Sequence, residues 1–206
     1  MRKIRWTTVC ALFFLLAPAA TAQSRTYTIA PAESSFWVFV AKAGLLSGFA
    51  HDHNIGVKTF GGKVTIPQAG AAGGSLTLDV EAKSLTVLDT KPSEEDRKKI
   101  AAAMHSEVLE SEKHPRIAFK STGVKDLKST GDNAYTFTLE GDLTLHGVTK
   151  RIAIPVALTV TPQMLRATGK YTLRQNEFGI KPYSAVGGTV KVKNDVIVNF
   201  NIVAKA

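Results

Sequence analysis

The sequence predicts an all-β chain with one helix, its strands arranged antiparallel as a barrel or a sandwich. Apolar and polar residues alternate with a period of two along most of the chain, the mark of strands that bury one face. The alternating runs follow one another across short breaks rich in glycine and asparagine, the order of hairpin-linked strands rather than of strand–helix–strand units. A single stretch, beginning at Pro92, changes to helical spacing.

The elements follow in chain order. Phe36, Val38 and Val40 alternate with Trp37, Phe39 and Ala41, and Leu76, Leu78, Val80 and Ala82 alternate with Thr77, Asp79 and Glu81. Further on, Tyr135, Phe137 and Leu139 form one apolar face, Ile152, Ile154, Val156, Leu158 and Val160 a longer one, and Val196, Val198, Phe200, Ile202 and Ala204 another. Ile117–Ser121, Leu165–Leu173 and Gly188–Val192 are further strand candidates. Gly61-Gly62, the Gly/Ala run ending at Gly74, Gly131-Asp132-Asn133 and Asn194-Asp195 are read as the turns between them. In the helix, Ser93 is the expected N-cap and Glu94, Glu95 and Asp96 fill the first turn, where acids favour the helix dipole. Ile100, Met104 and Val108 recur on one face, and the helix should end before His114-Pro115. A helix across one end of a barrel would bury that stripe.

Residues 1–22 are expected to be a signal peptide. Arg2, Lys3 and Arg5 form a basic start, Val9–Ala17 is an apolar run too short to span a bilayer, and Ala20-Thr21-Ala22 is a small-x-small cleavage site. Residues 23–206 would then form a single domain of 184 residues, enough for a sizeable core. The only cysteine, Cys10, lies in the leader, so the mature chain would have no disulfide. Such a chain fits the bacterial periplasm, where its core alone must hold the fold. The formal charge of +9 falls to +6 without the three basic leader residues, and the remainder is dispersed. No basic stripe interleaved with aromatics points to nucleic acid. The expected behaviour is that of a soluble protein touching membrane surfaces at most transiently, with a homodimer left open.

No nucleophile elbow, phosphate-binding loop, His-Glu-x-x-His or cysteine nucleophile occurs, so no enzymatic activity and no cofactor are expected. Glu94/Glu95 and Glu140/Asp142 read as solvated pairs rather than an acid–base couple. Gly44 to Gly62 holds the densest chemistry: His51 and His53 share a face if that segment is extended, a geometry that suits a metal. His51-Asp52-His53-Asn54 is equally good turn and hydrogen-bonding chemistry. His105, His114 and His146 are scattered along the sequence, and His146 reads as the end of a hairpin beside Gly147. A barrel of about eight strands is wide enough either to fill with side chains or to hold one apolar ligand. Phe36, Val38, Val40, Phe119, Phe137, Leu139, Val156, Phe178, Val198 and Phe200 are the candidates for its interior.

Several motifs, in order, resemble the YceI family of exported bacterial proteins. Ser34–Val40 resembles that family's first alternating strand, Phe60-Gly61-Gly62-Lys63-Val64 its F-x-G strand and Ser84-Leu85 a strand end. His114-Pro115-Arg116-Ile117-Ala118-Phe119-Lys120-Ser121 is similar to its P-x-I-x-F-x-S segment, and Glu177-Phe178-Gly179-Ile180 to its D-F-G-I element. The most specific match is Gly141-Asp142-Leu143-Thr144-Leu145-His146-Gly147-Val148-Thr149-Lys150. The likeness runs from Tyr27 to about Ala204, and Ser47–Asn54 looks like the mark of a subgroup with a G-H-x-H-like element. The resemblance implies a lipocalin-like antiparallel β-barrel with a helix at one end, and a lipid-like, polyisoprenoid-type ligand inside it.

Overall fold

The computed structural model describes residues 24–43, 51–67, 71–185, 187 and 189–206. The expected signal peptide, 44–50 of the histidine-bearing stretch, 70 of the Gly/Ala run and 188 of the expected strand start lie outside them. Strands β1 (Ser24–Ile29), β2 (Ser35–Ala43), β3 (His53–Val57), β4 (Phe60–Pro67), β5 (Ser75–Glu81) and β6 (Leu85–Val87) precede the helix α1 (Glu94–Ala103). β7 (Arg116–Gly131), β8 (Ala134–Leu145), β9 (Val148–Val160), β10 (Met164–Arg174), β11 (Ser184–Ala185) and β12 (Val190–Lys205) follow it.

Eight strands form a closed antiparallel ring in the order β1-β4-β5-β7-β8-β9-β10-β12, with β12 returning to β1. Closure leaves these strands no free edge in the ring. β1 holds only the end of β12, through Thr28↔Lys205 and Ile29↔Ala204. After a corner at Pro31–Glu33, β2 takes over the rest of β12, and β3 and β6 extend the wall from β2. Ser34 fixes the corner: its hydroxyl donates to the Ala30 carbonyl (2.8 Å) and accepts from the Val203 amide (3.0 Å).

Alternation sorts the wall into an apolar inside and a polar outside. Val156 and Leu158 of β9, Leu165 of β10 and Ile202 of β12 are buried, whereas Thr77, Lys120, Arg166 and Lys170 stand exposed on their strands. A barrel that crosses a membrane has the opposite arrangement around its apolar belt. No helix among the described residues is long and apolar enough to cross a membrane.

The helix starts where its caps predict. The Ser93 hydroxyl accepts from the Asp96 amide (3.1 Å), and Glu94–Lys98 and Glu95–Lys99 pair one turn apart along its exposed side. Beyond Ala103 the helix widens into a π turn over Met104–Val108, closed by the Leu109 amide on the Met104 carbonyl (2.9 Å). The helical segment lies against β6, and His105 bonds the two. Its Nε2–H donates to the Leu85 carbonyl (3.0 Å), which leaves the neutral ring's Nδ1 to accept from the buried Ser111 hydroxyl (2.9 Å).

Two turn assignments and two strand bounds change. Gly61-Gly62 lies within β4, opposite Asp79 and Leu78 of β5. A Cβ on Gly62 would stand 1.9 Å from the Thr77 carbonyl oxygen, so close backbone approach, rather than a turn, requires the glycine. Asn194-Asp195 is a bulge inside β12 rather than a break, because neighbouring groups satisfy the interrupted ladder. Gln175 donates to the Lys193 carbonyl (2.9 Å), and the Asn194 side chain accepts from the Asn176 amide (2.9 Å). Gly188–Val192 is accordingly not a strand of its own: β12 runs unbroken in sequence from Val190. Ala82 leaves β5 and opens a single 3-10 turn leading to β6.

Candidate functional site

The inward faces enclose a continuous cavity of about 570 Å3, within the range of small-molecule sites. Alternate residues of each strand point the same way, so register alone gathers its wall. Phe36, Val38 and Val40 come from β2, Phe119 from β7, Phe137 and Leu139 from β8, Val156 from β9, and Val198 and Phe200 from β12. Phe178, the tenth expected interior residue, does not line it. It sits in a 3-10 turn at Gln175–Phe178, 1% exposed and packed among Leu173, Ile180 and Val196. Its burial is that of a plug beneath the turn, since it belongs to no strand and shares no strand's alternation.

The helical segment supplies a further part of the wall. Ile100, Met104, Val108 and Leu109 face the cavity. The stripe read from the sequence as a packing face therefore packs partly against open space. Strand residues Leu76, Leu78 and Ile154 also line it, on alternations that the sequence displayed.

A few polar side chains interrupt the apolar lining. His51 borders both the cavity and an adjoining polar cleft of about 490 Å3, which Lys42, Asp52, Asn54, Asp89 and Lys91 also line. His51 thus stands at a mouth. His53 Nδ1 meets Asp89 Oδ2 at 2.8 Å, while Asp89 Oδ1 accepts from the Asn54 amide at 3.0 Å. With Nδ1 engaged by that carboxylate, Nε2 is the ring's second polar atom. Asp89, distant in sequence and without any motif, was not foreseeable as His53's partner. Tyr171 also reaches the lining, and burial pushes its phenol above the usual tyrosine value, helped by the Glu177 charge and opposed by Arg174.

His51 and His53 do not share a set of three metal-compatible donors among the described residues. Glu110, His114 and His146 do, with one ligand atom from each lying within 4.8 Å of the others. Lys113, hydrogen-bonded to Glu110, holds that carboxyl below the usual carboxylate range against the effect of burial, and His146 adds to the lowering.

A family model, the YceI-like domain, matches residues 27–204 of this eight-stranded barrel. The chain belongs to the YceI-like family. Within that family, a UPF0312 protein of Pseudomonas putida (strain W619) is 34% identical over 146 residues, 65% of this chain. The chain spans 66% of the length of that curated relative. Solved structures share the architecture at lower identity. BcnA of Burkholderia cenocepacia is similar at a TM-score of 0.65 and 18% identity, over 85% of this chain and 98% of that one. A polyisoprenoid binding domain from Saccharophagus degradans is similar at 0.62 and 12%, over 87% and 98%. At these identities the likeness establishes a common YceI-like fold.

Proposed function

We propose that this YceI-like chain is an exported, non-catalytic carrier that holds a long apolar, isoprenoid-like molecule in its barrel. The observation that carries this reading is the cavity of about 570 Å3, whose wall is nearly all aliphatic and aromatic. The polyisoprenoid binding described for the Saccharophagus degradans domain supports the ligand class. Each methylene taken from water contributes about 0.8 kcal/mol before the losses of association are subtracted. A long chain therefore needs few polar contacts. A polar end group would remain at the mouth, beside His51 and the His53–Asp89 pair. Export through residues 1–22 to the periplasm would place the carrier between membranes, with transient membrane contact for loading. No cofactor enters this scheme.

The alternative of a metal-binding protein built on His51 and His53 lacks a third donor there among the described residues. Native mass spectrometry of the chain purified from a bacterial envelope tests the carrier reading. The expected result is a discrete adduct that organic extraction removes and that rebinds as a long-chain isoprenol. A uniform unliganded mass together with no uptake of the isoprenol by the extracted protein would overturn it.

A further inference from the structure

We propose that Glu110, His114 and His146 form a second, independent site for a divalent transition metal, with Zn2+ the best match. The site lies just outside the barrel wall, since Leu109 and Leu145, the neighbours of Glu110 and His146, line the cavity while the trio does not. Two imidazoles and one carboxylate are the donor set of an open zinc centre, with the remaining position left to water or a ligand. Imidazole donors also exclude Mg2+ and Ca2+, which take oxygen ligands.

The backbone fixes all three donors. Glu110 and His114 stand one turn apart, and the His114 amide donates to the Glu110 carbonyl at 2.9 Å. His146 is the first residue of the two-residue turn joining β8 to β9, with Leu145 paired to Val148 across it. Glu110 Oε2 lies 3.1 Å from His146 Nε2, and the two imidazole rings are 4.3 Å apart between centroids. Donors around a tetrahedral zinc with bonds of about 2.1 Å stand about 3.4 Å from one another. The Glu110–His146 pair is already at that spacing, and His114 must close by a small movement. Lys113 occupies the other carboxylate oxygen, so Oε2, the oxygen that faces His146, is the one open to a metal. Gly147 keeps the space open: a Cβ there would lie 3.1 Å from His114 Nδ1.

Two of the donors occupy positions that suit them badly on stability grounds. Glu110 has φ 43° immediately after the helical segment, where glycine or asparagine is preferred and where the helix dipole disfavours an anion. His146 and Gly147 have φ 52° and 75°, a turn for which Asn-Gly is the favoured pair. A left-handed glutamate and a left-handed histidine that meet side chain to side chain, with a third donor over them, indicate a site rather than a turn optimised for folding.

Those same positions supply variants that spare the fold. Glu110→Asn and His146→Asn each install a residue that favours the left-handed region, and His114→Gln keeps a polar side chain of similar reach. The tag-free chain, titrated with Zn2+ against a chromophoric chelator, is expected to bind one equivalent. Each variant should bind at least about 100-fold more weakly while its metal-free melting temperature stays within about 4 °C of the parent. His51→Ala/His53→Ala should bind as the parent does. Co2+ should give the parent visible d–d bands that the three variants lack. Absence of stoichiometric Zn2+ binding, binding that survives all three substitutions, or binding lost instead with His51 and His53 would overturn the site. Collapse of all three metal-free variants would do so too, by showing that the trio serves only to hold the turn.

Discussion

Tyr171 places an ionisable group in a wall that is otherwise nearly all hydrocarbon, and this gives the fold an alkaline limit. Burial raises its phenol above the ordinary value, with Glu177 adding to the effect. The folded state therefore keeps the proton after the unfolded chain has begun to lose it. That contribution to stability is complete below about pH 10, tyrosine's usual value, and is lost as pH rises through the higher folded value. Tyr171→Phe should melt with a shallower decline above pH 10 and lose one phenolate signal above that pH in an ultraviolet titration. Identical alkaline slopes in parent and variant would show that Tyr171 does not set the limit. At this scale much of the wall was legible in the sequence, because Phe36, Phe119, Phe137 and Phe200 obey the period of their strands. Phe178 was not, since a 3-10 turn has no two-residue period to betray which way its side chains face. Asp89 and Glu110 were missed for a related reason: each meets its histidine 36 residues away in sequence, and single polar residues carry no pattern.

The helical segment shows how one element can depend on one side chain. β6 pairs with β3 on one side, and the Leu85 carbonyl is met on the other by His105 from the π turn. The same ring satisfies Ser111, 1% exposed, whose amide also returns to the His105 carbonyl at 2.9 Å. Replacing His105 by alanine leaves a carbonyl and a buried hydroxyl without that partner, a loss of about 1–3 kcal/mol for each group left unsatisfied. We expect His105→Ala to lower the urea midpoint and to speed amide exchange across β6 and the Met104–Val108 turn, with β8 and β9 nearly unchanged. Uniform loss of protection over the barrel would contradict this local role. The helix itself was readable from Ser93 and its acidic first turn, and the wider π turn was not. Nothing in Met104-His105-Ser106-Glu107-Val108 distinguishes a five-residue turn from continued α-helix until the His105 contacts select it. Asn194 and Gly62 carry the same lesson for strands. Turn-forming residues mark an interruption of regular pairing, but only the neighbouring strand decides between a turn, a bulge and a close approach.

The molecule as a whole combines a closed antiparallel ring with an interior that its side chains do not fill. Protein interiors ordinarily hold few voids larger than a water molecule, so a cavity of about 570 Å3 sacrifices dispersion contacts along its whole wall. A ligand that enters restores them, and one bound at 100 times its dissociation constant adds about 2.7 kcal/mol to stability. For a chain of this size that corresponds to a melting shift of roughly 5–10 °C. Ala167 offers a way to separate a ligand chamber from a merely imperfect core. It lies in the wall between Leu158 and Ile202, the smallest side chain of that row. Ala167→Phe, alone or with Val198→Phe, should occupy part of the space and leave the extracted protein as stable as the parent or more so. The same variants should lose most of the shift that an isoprenol gives the parent, because chamber and contacts are already taken. Thermal melts of extracted and reloaded parent and variants make the comparison directly. If filling the cavity leaves the ligand-induced shift intact, the molecule binds elsewhere, and the barrel interior is core.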